Sequence, residues 1–250
     1  MCKFFSCVSD GKGMIYYFDW EMRKKIIDGK LNDNYECDSH SSICNHFKLN
    51  CDKVNKYEYN PLLKEFKIDQ INNKDDSKMV EKKLRKLDFK NIVPQLKIKE
   101  IIHPFKLKKQ KPKRGAILAL KQWSSVGASV VDSVGASVGA SVGDSVRLSV
   151  DASVWDSVWS SVVDSVGASV WPSAAASVGA YTSSFVDLER NQWKYTENIK
   201  TKDKNPFSPC IKLWEHGLVP SFDGKIWRLH SGKDADVVFE ISKEDLEKYV

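Results

Sequence analysis

Hydrophobic positions in the first seventy residues alternate as they do in strands. KFFSCVS and MIYYFDW are rich in β-formers and flank the turn sequence DGKG, which predicts a β-hairpin. KYEYN and EFKIDQI predict a second hairpin around residues 60–61. The side chains expected on its packing faces are Tyr57, Tyr59, Phe66 and Ile68.

Helical spacing accompanies these hairpins. Asp19 is a plausible N-cap for a helix over WEMRKKIIDG, with Gly29 at its end. DSHSSICNHF predicts a short helix with Ile43 and Phe47 in the core, and DDSKMVEKKLRKL an amphipathic one. The inward side chains expected on the latter are Met79, Val80, Leu84 and Leu87. Residues 1–96 therefore predict a small α+β domain.

A tetrapeptide repeat follows this domain. Ser recurs every fourth residue from Ser125 to Ser177, and the next residue is Val in thirteen of the fourteen units, with Ala174 as the exception. The position after Val varies, and ten of its fourteen residues are Gly, Trp or Arg. Such variation is typical of an expanded DNA repeat that builds a scaffold whose individual side chains carry no catalysis.

The period of four decides the conformations open to this tract. A strand would need a β-solenoid with corners at the tetrad boundaries, because the tract far exceeds the usual length of one strand. In an α-helix the apolar stripe drifts by about 40° per unit, so short helices folded together would keep it buried. Ser, Val and Gly are poor helix formers, but the tract continues from the helical pattern GAILALKQW. We expect short packed helices over residues 115–185, with a β-solenoid as the alternative.

Residues 186–250 predict a second small unit. NPFSPCIKLWEHG is helical and ends at Gly217, and three strands form a meander with turns at Asp223-Gly224 and Gly232-Lys233. The core residues expected are Trp214, Phe222, Trp227 and Phe239. The fold class predicted for the chain is thus α+β, with the repeat scaffold between two small units.

Positive charge is concentrated in one segment. The formal net charge is +6, and residues 97–114 alone hold eight Lys or Arg against Glu100. We interpret them as a basic linker. A nucleic-acid backbone could bind it non-specifically, although charge runs beside proline are more often solvated. The nucleic-acid-binding candidates are Lys106, Lys108, Lys109, Lys111, Lys113 and Arg114.

Cysteine usage and the termini bear on the compartment. The chain has 250 residues and six cysteines without a CxxC pair, which predicts reduced thiols in a cytoplasm. No secretory signal follows Met1, and no uncharged run is both long and apolar enough to span a bilayer. We expect no membrane partner.

Four constellations could carry chemistry, and each has a simpler structural explanation. Cys37, His40, Cys44, His46 and Cys51 are of the right type for zinc, but their spacing matches no known finger or knuckle. SDGKG at 9–13 lacks the spacing of a phosphate loop. We predict neither a metal nor a cofactor.

The two remaining constellations concern catalysis. Cys2 would become N-terminal after removal of Met1, as in the N-terminal nucleophile amidotransferases, but MCKFF shares only the first two residues of that pattern. His216, Asp223 and His230 could pair as base and orienter, yet no nucleophile motif accompanies them. We assign no catalytic residue.

Several segments together carry a resemblance. MCKFFSCVSDGKGMIYYFDW, NKYEYNPLLKEFKIDQIN followed by DDS, the SVxx tetrads and LWEHGLVPSFDGKIWRLHSG resemble a group of uncharacterised proteins encoded in bacteriophage and bacterial or metagenomic sequence, in which the number of tetrads varies. The resemblance implies a shared architecture and a phage accessory context, and no activity, cofactor or catalytic residue.

We therefore expect a non-enzymatic interaction protein with a length-variable repeat scaffold. Its partner would be another protein, or a second copy of the chain bound through the repeat. The contact candidates are Trp155, Trp159 and Trp171, because aromatic side chains carry much of the energy of interfaces. The alternatives are a nucleic-acid-binding accessory protein and an enzyme of the N-terminal-Cys hydrolase or amidotransferase type.

Overall fold

The described part of the chain forms an α+β protein with two antiparallel sheets and eight helices, as the sequence predicts. The computed structural model describes residues 5–31 and 35–126, and beyond these 150–151, 153–159, 162, 165–166, 170–193, 196, 199 and 201–250. Over these residues it contains no closed solenoid. Contacts divide the chain near Glu100 and Ile101 into an N-terminal and a C-terminal unit, and Val150 of the repeat groups with the N-terminal one.

A four-stranded sheet organises the N-terminal unit. The strands are β1 (Phe5–Ser9), β2 (Ile15–Tyr16), β3 (Asn55–Asn60) and β4 (Glu65–Gln70), in the order β2-β1-β3-β4. Val8 lies opposite Tyr16 in the first hairpin, and Tyr57 lies opposite Ile68 in the second. Both predicted hairpins are confirmed, because β1 pairs with β2 and β3 pairs with β4, each time as antiparallel strands that follow one another in the sequence.

Four helices accompany this sheet: α1 (Trp20–Ile27), α2 (His40–Phe47), α3 (Ser77–Leu84) and α4 (Phe89–Ile92). The predicted cap of α1 is confirmed, since Asp19 accepts a hydrogen bond from the Met22 amide at 2.9 Å. On α3, Val80 and Leu84 are fully buried, but Met79 is exposed, contrary to its predicted inward position. The helix is only eight residues long, so its buried stripe has room for few side chains.

Both faces of β1 are buried, because all five of its side chains are covered. On one face, Val8 belongs to a cluster with Phe18, Ile43, Cys44 and Val54. On the other, the Phe5 ring lies 5.2 Å from the ring of Phe89 in α4. The edge strand β4 is more open, and Ile68 there is exposed, whereas the sequence predicted it on a packing face.

A buried carboxylate, Asp76, holds the first turn against β3 and the start of α3. It accepts hydrogen bonds from the Gly13 amide at 2.6 Å, the Asn55 side chain at 2.9 Å and the Tyr57 hydroxyl at 2.7 Å, and also from the Ser9 hydroxyl. Burial raises the pKa of a carboxyl group, but here these four donors outweigh it, so the pKa of Asp76 lies below its usual value. The carboxylate is therefore charged and satisfied.

The C-terminal unit contains the predicted meander, which is confirmed. Its strands are β5 (Val219–Phe222), β6 (Ile226–Ser231) and β7 (Asp236–Ser242), in that order. The helices are α5 (Arg114–Ser124), α6 (Trp171–Thr182), α7 (Ser208–Glu215) and α8 (Lys243–Lys248). Trp214 and Trp227 are buried as predicted, whereas Phe222 and Phe239 are only half-buried.

The last tetrads of the repeat form part of this core. Pro172 lies in the first turn of α6, where a missing amide hydrogen costs no helical bond. The helix packs on β5 and α7. The Ser173 hydroxyl accepts a hydrogen bond from the Phe222 amide at 2.8 Å, and the Tyr181 ring stacks on Trp214 at 4.9 Å. Residues 171–182 are thus an integral layer of the C-terminal unit.

Candidate functional site

The described tetrads are helical, and their apolar position faces inward. Of the nine Val or Ala side chains described at this position, Val126 and Val166 are half-buried and the other seven are buried. The buried ones are Val150, Val154, Val158, Val162, Val170, Ala174 and Val178. A stripe repeating every fourth residue is therefore the packing face of the repeat, which supports the expectation of helices over strands.

One turn of the repeat is wider than an α-helical turn. Residues Trp155–Trp159 form a π-helix, in which the amide bonds to the carbonyl five residues earlier. An α-helix with a period of four rotates its stripe by about 40° per unit, and a wider turn rotates it the opposite way. The π-turn therefore compensates the drift and keeps Val154 and Val158 buried.

The position after Val is not uniform, since the Asp151 side chain is half-buried and Ala175, which follows Ala174, is buried. The Trp155 side chain is 48% exposed, while Val154 beside it is fully buried. Trp159 and Trp171 lie in helical segments, but their side chains are outside the described part of the structure. Of the three predicted contact residues, Trp155 is the one whose side chain is described, and it reaches the surface.

The basic segment, residues 106–114, packs along the C-terminal unit. The Gln110 amide donates to the Ser231 hydroxyl at 3.0 Å, and the Lys109 ammonium pairs with Asp236 at 2.8 Å. Gly217 and Gly232 allow this approach: both have positive φ, and an added Cβ would lie 3.2 Å from the Cβ of Leu107 and 3.0 Å from that of Lys109. A side chain at either glycine would push the segment away.

A cleft opens where this segment enters α5. Its volume is about 510 Å³. The lining residues are Gln110, Lys111, Lys113, Gly115, Ala116, Ala119, Lys212, Leu213, His216 and Leu218. We call this cavity the basic cleft, because it carries three lysines and no carboxylate. Its walls are mostly apolar.

The cations of the basic cleft differ in their surroundings. Lys212 in α7 pairs with Asp203 at 2.8 Å, and both side chains are partly exposed. Lys111 and Lys113 are exposed, and Lys113 immediately precedes α5. The His216 ring bonds through Nδ1 to the Lys212 carbonyl at 2.7 Å, which orients it at the end of α7. Lysines from two distant segments thus converge on one cavity.

The Cys and His cluster of the N-terminal unit is dispersed among separate contacts. Cys37 donates to the Arg23 carbonyl and Cys51 to the His40 carbonyl, both at 3.8 Å. The His40 Nε2 atom is 3.1 Å from the Tyr57 carbonyl, and the His46 ring lies 5.4 Å from Phe18. In the described part of the chain, no three His, Cys, Asp or Glu side chains are grouped as metal ligands would be.

The three residues considered for acid–base chemistry in the C-terminal unit have separate partners. Asp223 pairs with Arg228 at 2.6 Å, and His216 belongs to the basic cleft. His230 accepts at Nε2 from the Ser221 hydroxyl at 2.7 Å and donates from Nδ1 to the Ala235 carbonyl at 3.0 Å. This assignment of the tautomer follows from the carbonyl, which can only accept.

The Ser221–His230 pair has the composition of a catalytic dyad but not its access. Ser221 has no exposed surface and His230 is 4% exposed, so neither meets a substrate from solvent. Burial is the main cause that lowers the pKa of His230 and keeps the ring neutral. The pair joins β5 to β6 and to the turn that follows.

Two further sequence features, Cys2 and the SDGKG segment, were weighed for chemistry and assigned none. Cys2 lies outside the described residues. The SDGKG segment is a turn: the Asp10 side chain accepts from the Lys12 and Met14 amides, and Gly13 donates to Asp76. These amides are therefore occupied by the protein's own carboxylates.

Comparisons with known proteins add nothing to the geometry of the site. No protein-family model, curated protein or solved structure matches this chain. Among the described helices, none combines the length and apolar character needed to cross a membrane.

Lys212 and His216 are the polar cleft residues that lie outside the basic segment. They follow Lys113 by about a hundred positions, and only the packing of α7 on α5 brings them there. The sequence signal is weak: a Lys and a His four residues apart at a helix end.

Proposed function

We propose that this protein is a non-enzymatic, phage-type accessory protein that binds a protein partner through its repeat. The supporting observation is the contrast within one tetrad, where Val154 is buried and Trp155 is 48% exposed. A scaffold with this arrangement keeps its core constant while the position after Val changes. The cytoplasm of the host cell is the location that we propose for it.

The exposed indole gives this proposal its energetic basis. A tryptophan carries a large apolar surface and one N–H donor, so it gains more on burial at an interface than most side chains. The Ser side chains of the tetrads add little apolar surface. We therefore place the contact at the tryptophans that follow Val, of which Trp155 has a described side chain and Trp159 and Trp171 are the other candidates.

Affinity capture from bacterial lysate, treated with nuclease, tests the proposal. The wild-type chain and Met79→Ala should retain the same protein, while Trp155→Ala should lose it. Met79 is a matched control because its side chain is also 48% exposed, in the other unit. The affinity of the retained protein, once purified, should be at least about tenfold higher for the wild type than for Trp155→Ala, as for an interface hot spot. Equal retention by all three chains would refute the proposal.

The same preparation tests whether the partner is a second copy of the chain. Sedimentation of the wild type and Trp155→Ala at several concentrations reports self-association. A dimer that dissociates on Trp155→Ala would make the partner another copy of this chain.

Binding of nucleic acid through the basic segment is the second candidate. The observation that favours it is the exposure of Lys108, Lys111, Lys113 and Arg114 along one segment, in which Lys109 pairs with Asp236. The enzymatic alternative depends on Cys2, and nothing in the described residues adds to it.

A further inference from the structure

The basic cleft combines features that select one kind of ligand. Lys111, Lys113 and Lys212 line it, and Lys212 also pairs with the partly exposed carboxylate of Asp203 at 2.8 Å. The apolar lining comes from Ala116, Ala119, Leu213 and Leu218. A ligand that matches both parts has an anionic head and an apolar body.

The volume and the lining of the cleft narrow the class of ligand further. A cavity of about 510 Å³ is within the usual range of small-molecule sites. No Phe, Tyr or Trp is among its lining residues, so the imidazole of His216, held by its bond to the Lys212 carbonyl, is the one ring there on which a nucleobase would stack. Small side chains along α5 instead leave a smooth apolar wall, which suits an aliphatic chain.

Gly115 shows that the cleft has unused space beside the helix. A Cβ added at Gly115 would meet nothing within 4 Å. Gly is a poor helix former, and here it lies in the first turn of α5, two residues after Lys113. A larger residue at this position, which lines the cleft, would meet no clash with the fold.

We propose that the basic cleft binds a single-chain amphiphile with an anionic head, the simplest being an alkyl phosphate. The head lies among Lys111, Lys113 and Lys212, and the chain lies against Ala116, Ala119, Leu213 and Leu218. This site is independent of the repeat and of the protein partner proposed for it.

Calorimetric titration of the full chain with alkyl phosphates tests the site. Affinity should rise by up to about fourfold for each added methylene that is buried, from butyl to hexyl to octyl phosphate. Inorganic phosphate and octanol each supply one half of the ligand and should bind far more weakly than octyl phosphate. An affinity independent of chain length, or no heat with octyl phosphate, would overturn the proposal.

Paired variants locate the site. Gly115→Leu fills the cleft and should weaken octyl phosphate binding by at least about tenfold, the cost of two buried methylenes. Gly115→Ala adds one methyl group and should keep most of the affinity. Both variants should unfold at or above the wild-type temperature, because each replaces a helical glycine. Equal binding by Gly115→Leu and Gly115→Ala would place the ligand elsewhere.

Charge variants test the head group. Lys111→Gln and Lys113→Gln should each weaken binding by about fivefold, as expected for an exposed ion pair in water. Lys108→Gln is the matched control, since Lys108 belongs to the same segment but does not line the cleft. Equal losses in all three would indicate general charge attraction and overturn the site.

The same measurements distinguish two other kinds of anionic partner. Vesicles containing phosphatidic acid that bind the chain, without a response to soluble octyl phosphate, would assign the cations to a membrane surface instead. Binding of a single-stranded oligonucleotide that is unaffected by Gly115→Leu, again without octyl phosphate binding, would assign them to nucleic acid.

Discussion

Asp76→Asn is the substitution that best tests how the N-terminal unit is held together. One carboxylate oxygen of Asp76 accepts from the Ser9 hydroxyl and the Gly13 amide, and the other accepts from Asn55 and Tyr57. Asparagine preserves the shape but replaces one acceptor with an NH₂ group. Whichever way the amide turns, one donor that cannot accept, the Gly13 amide or the Asn55 NH₂ group, loses its acceptor, while the hydroxyl beside it can turn and accept from the new NH₂ group.

The magnitude follows from the one lost bond and from the lost charge. A hydrogen bond to a charged group contributes about 1.5–3 kcal/mol, and each of the other three bonds is weakened by about 1 kcal/mol when its acceptor becomes neutral, so the expected loss is about 4.5–6 kcal/mol in the free energy of unfolding. Whole domains are stable by only about 5–15 kcal/mol. Because Asp76 is 2% exposed, water cannot replace the lost acceptor without opening the turn. The N-terminal unit should therefore become marginal.

Hydrogen exchange followed peptide by peptide measures this loss within the full chain. Protection of β1 and β3 should fall in Asp76→Asn, while that of α6 and β6 in the other unit serves as an internal reference. Asp75→Asn is the matched control: its carboxylate is exposed and accepts from the Ser77 amide at 2.9 Å. Its effect should be much smaller.

The pH dependence supplies an independent check. The pKa of Asp76 is lowered in the folded protein, so its contribution is fully present above about pH 4 and is lost as the pH falls through the folded value. Asp76→Asn should lack this part of the acid sensitivity. A loss below about 1 kcal/mol, or an unchanged acid dependence, would show that the four hydrogen bonds do not hold the turn.

Three further predictions concern the rest of the molecule. Changing Lys108, Lys109, Lys111 and Lys113 to Gln should weaken any binding of single-stranded DNA and flatten its dependence on salt, and an unchanged slope would exclude the basic segment. Burial raises the pKa of Cys7, Cys44 (to about 12) and Cys210, so a thiol-alkylating probe should label them only on unfolding. Faster labelling of Cys2, with loss of function in Cys2→Ser, would instead favour the enzyme. Burial lowers the pKa of His230 in the folded protein, so as the pH falls the unfolded chain binds the proton at a higher pH than the folded chain does. The C-terminal unit should therefore lose stability as the pH falls below about 6.5. In Ser221→Ala, where Nε2 loses its donor, unfolding measurements should give a further loss of about 1–2 kcal/mol.

Local signals made the strands and caps predictable. The DGKG turn and the Asp223-Gly224 turn each join segments that pair directly, so alternation and turn residues contain the needed information. Asp19 caps its helix through an amide three residues away. None of these features depends on distant parts of the chain.

Features that depend on distant residues were not predictable. Asp76 looks like an ordinary acidic residue before a helix, and its four partners come from the first turn, β1 and β3. The basic cleft similarly needs α7 beside α5. Met79 was expected inward because it follows the helical period, but α3 buries Val80 and Leu84 instead. Spacing along a helix identifies a stripe, and the tertiary neighbour decides which edge of it is covered.

The end of the repeat explains where changes in its length can be accommodated. Within α6, Ser173 binds the Phe222 amide and Ala174 is buried where all other tetrads have Val, so the helix fits closely against β5. Removing residues 161–176 would delete both contacts and expose the core around Tyr181 and Trp214. Upstream of Val170, a whole tetrad can be added or removed more readily than within α6, because four residues rotate an α-helix by only about 40° beyond a full turn. A single wide turn such as that at Trp155–Trp159 compensates this rotation. The repeat can therefore vary in number on its N-terminal side while its last units remain fixed by the C-terminal core.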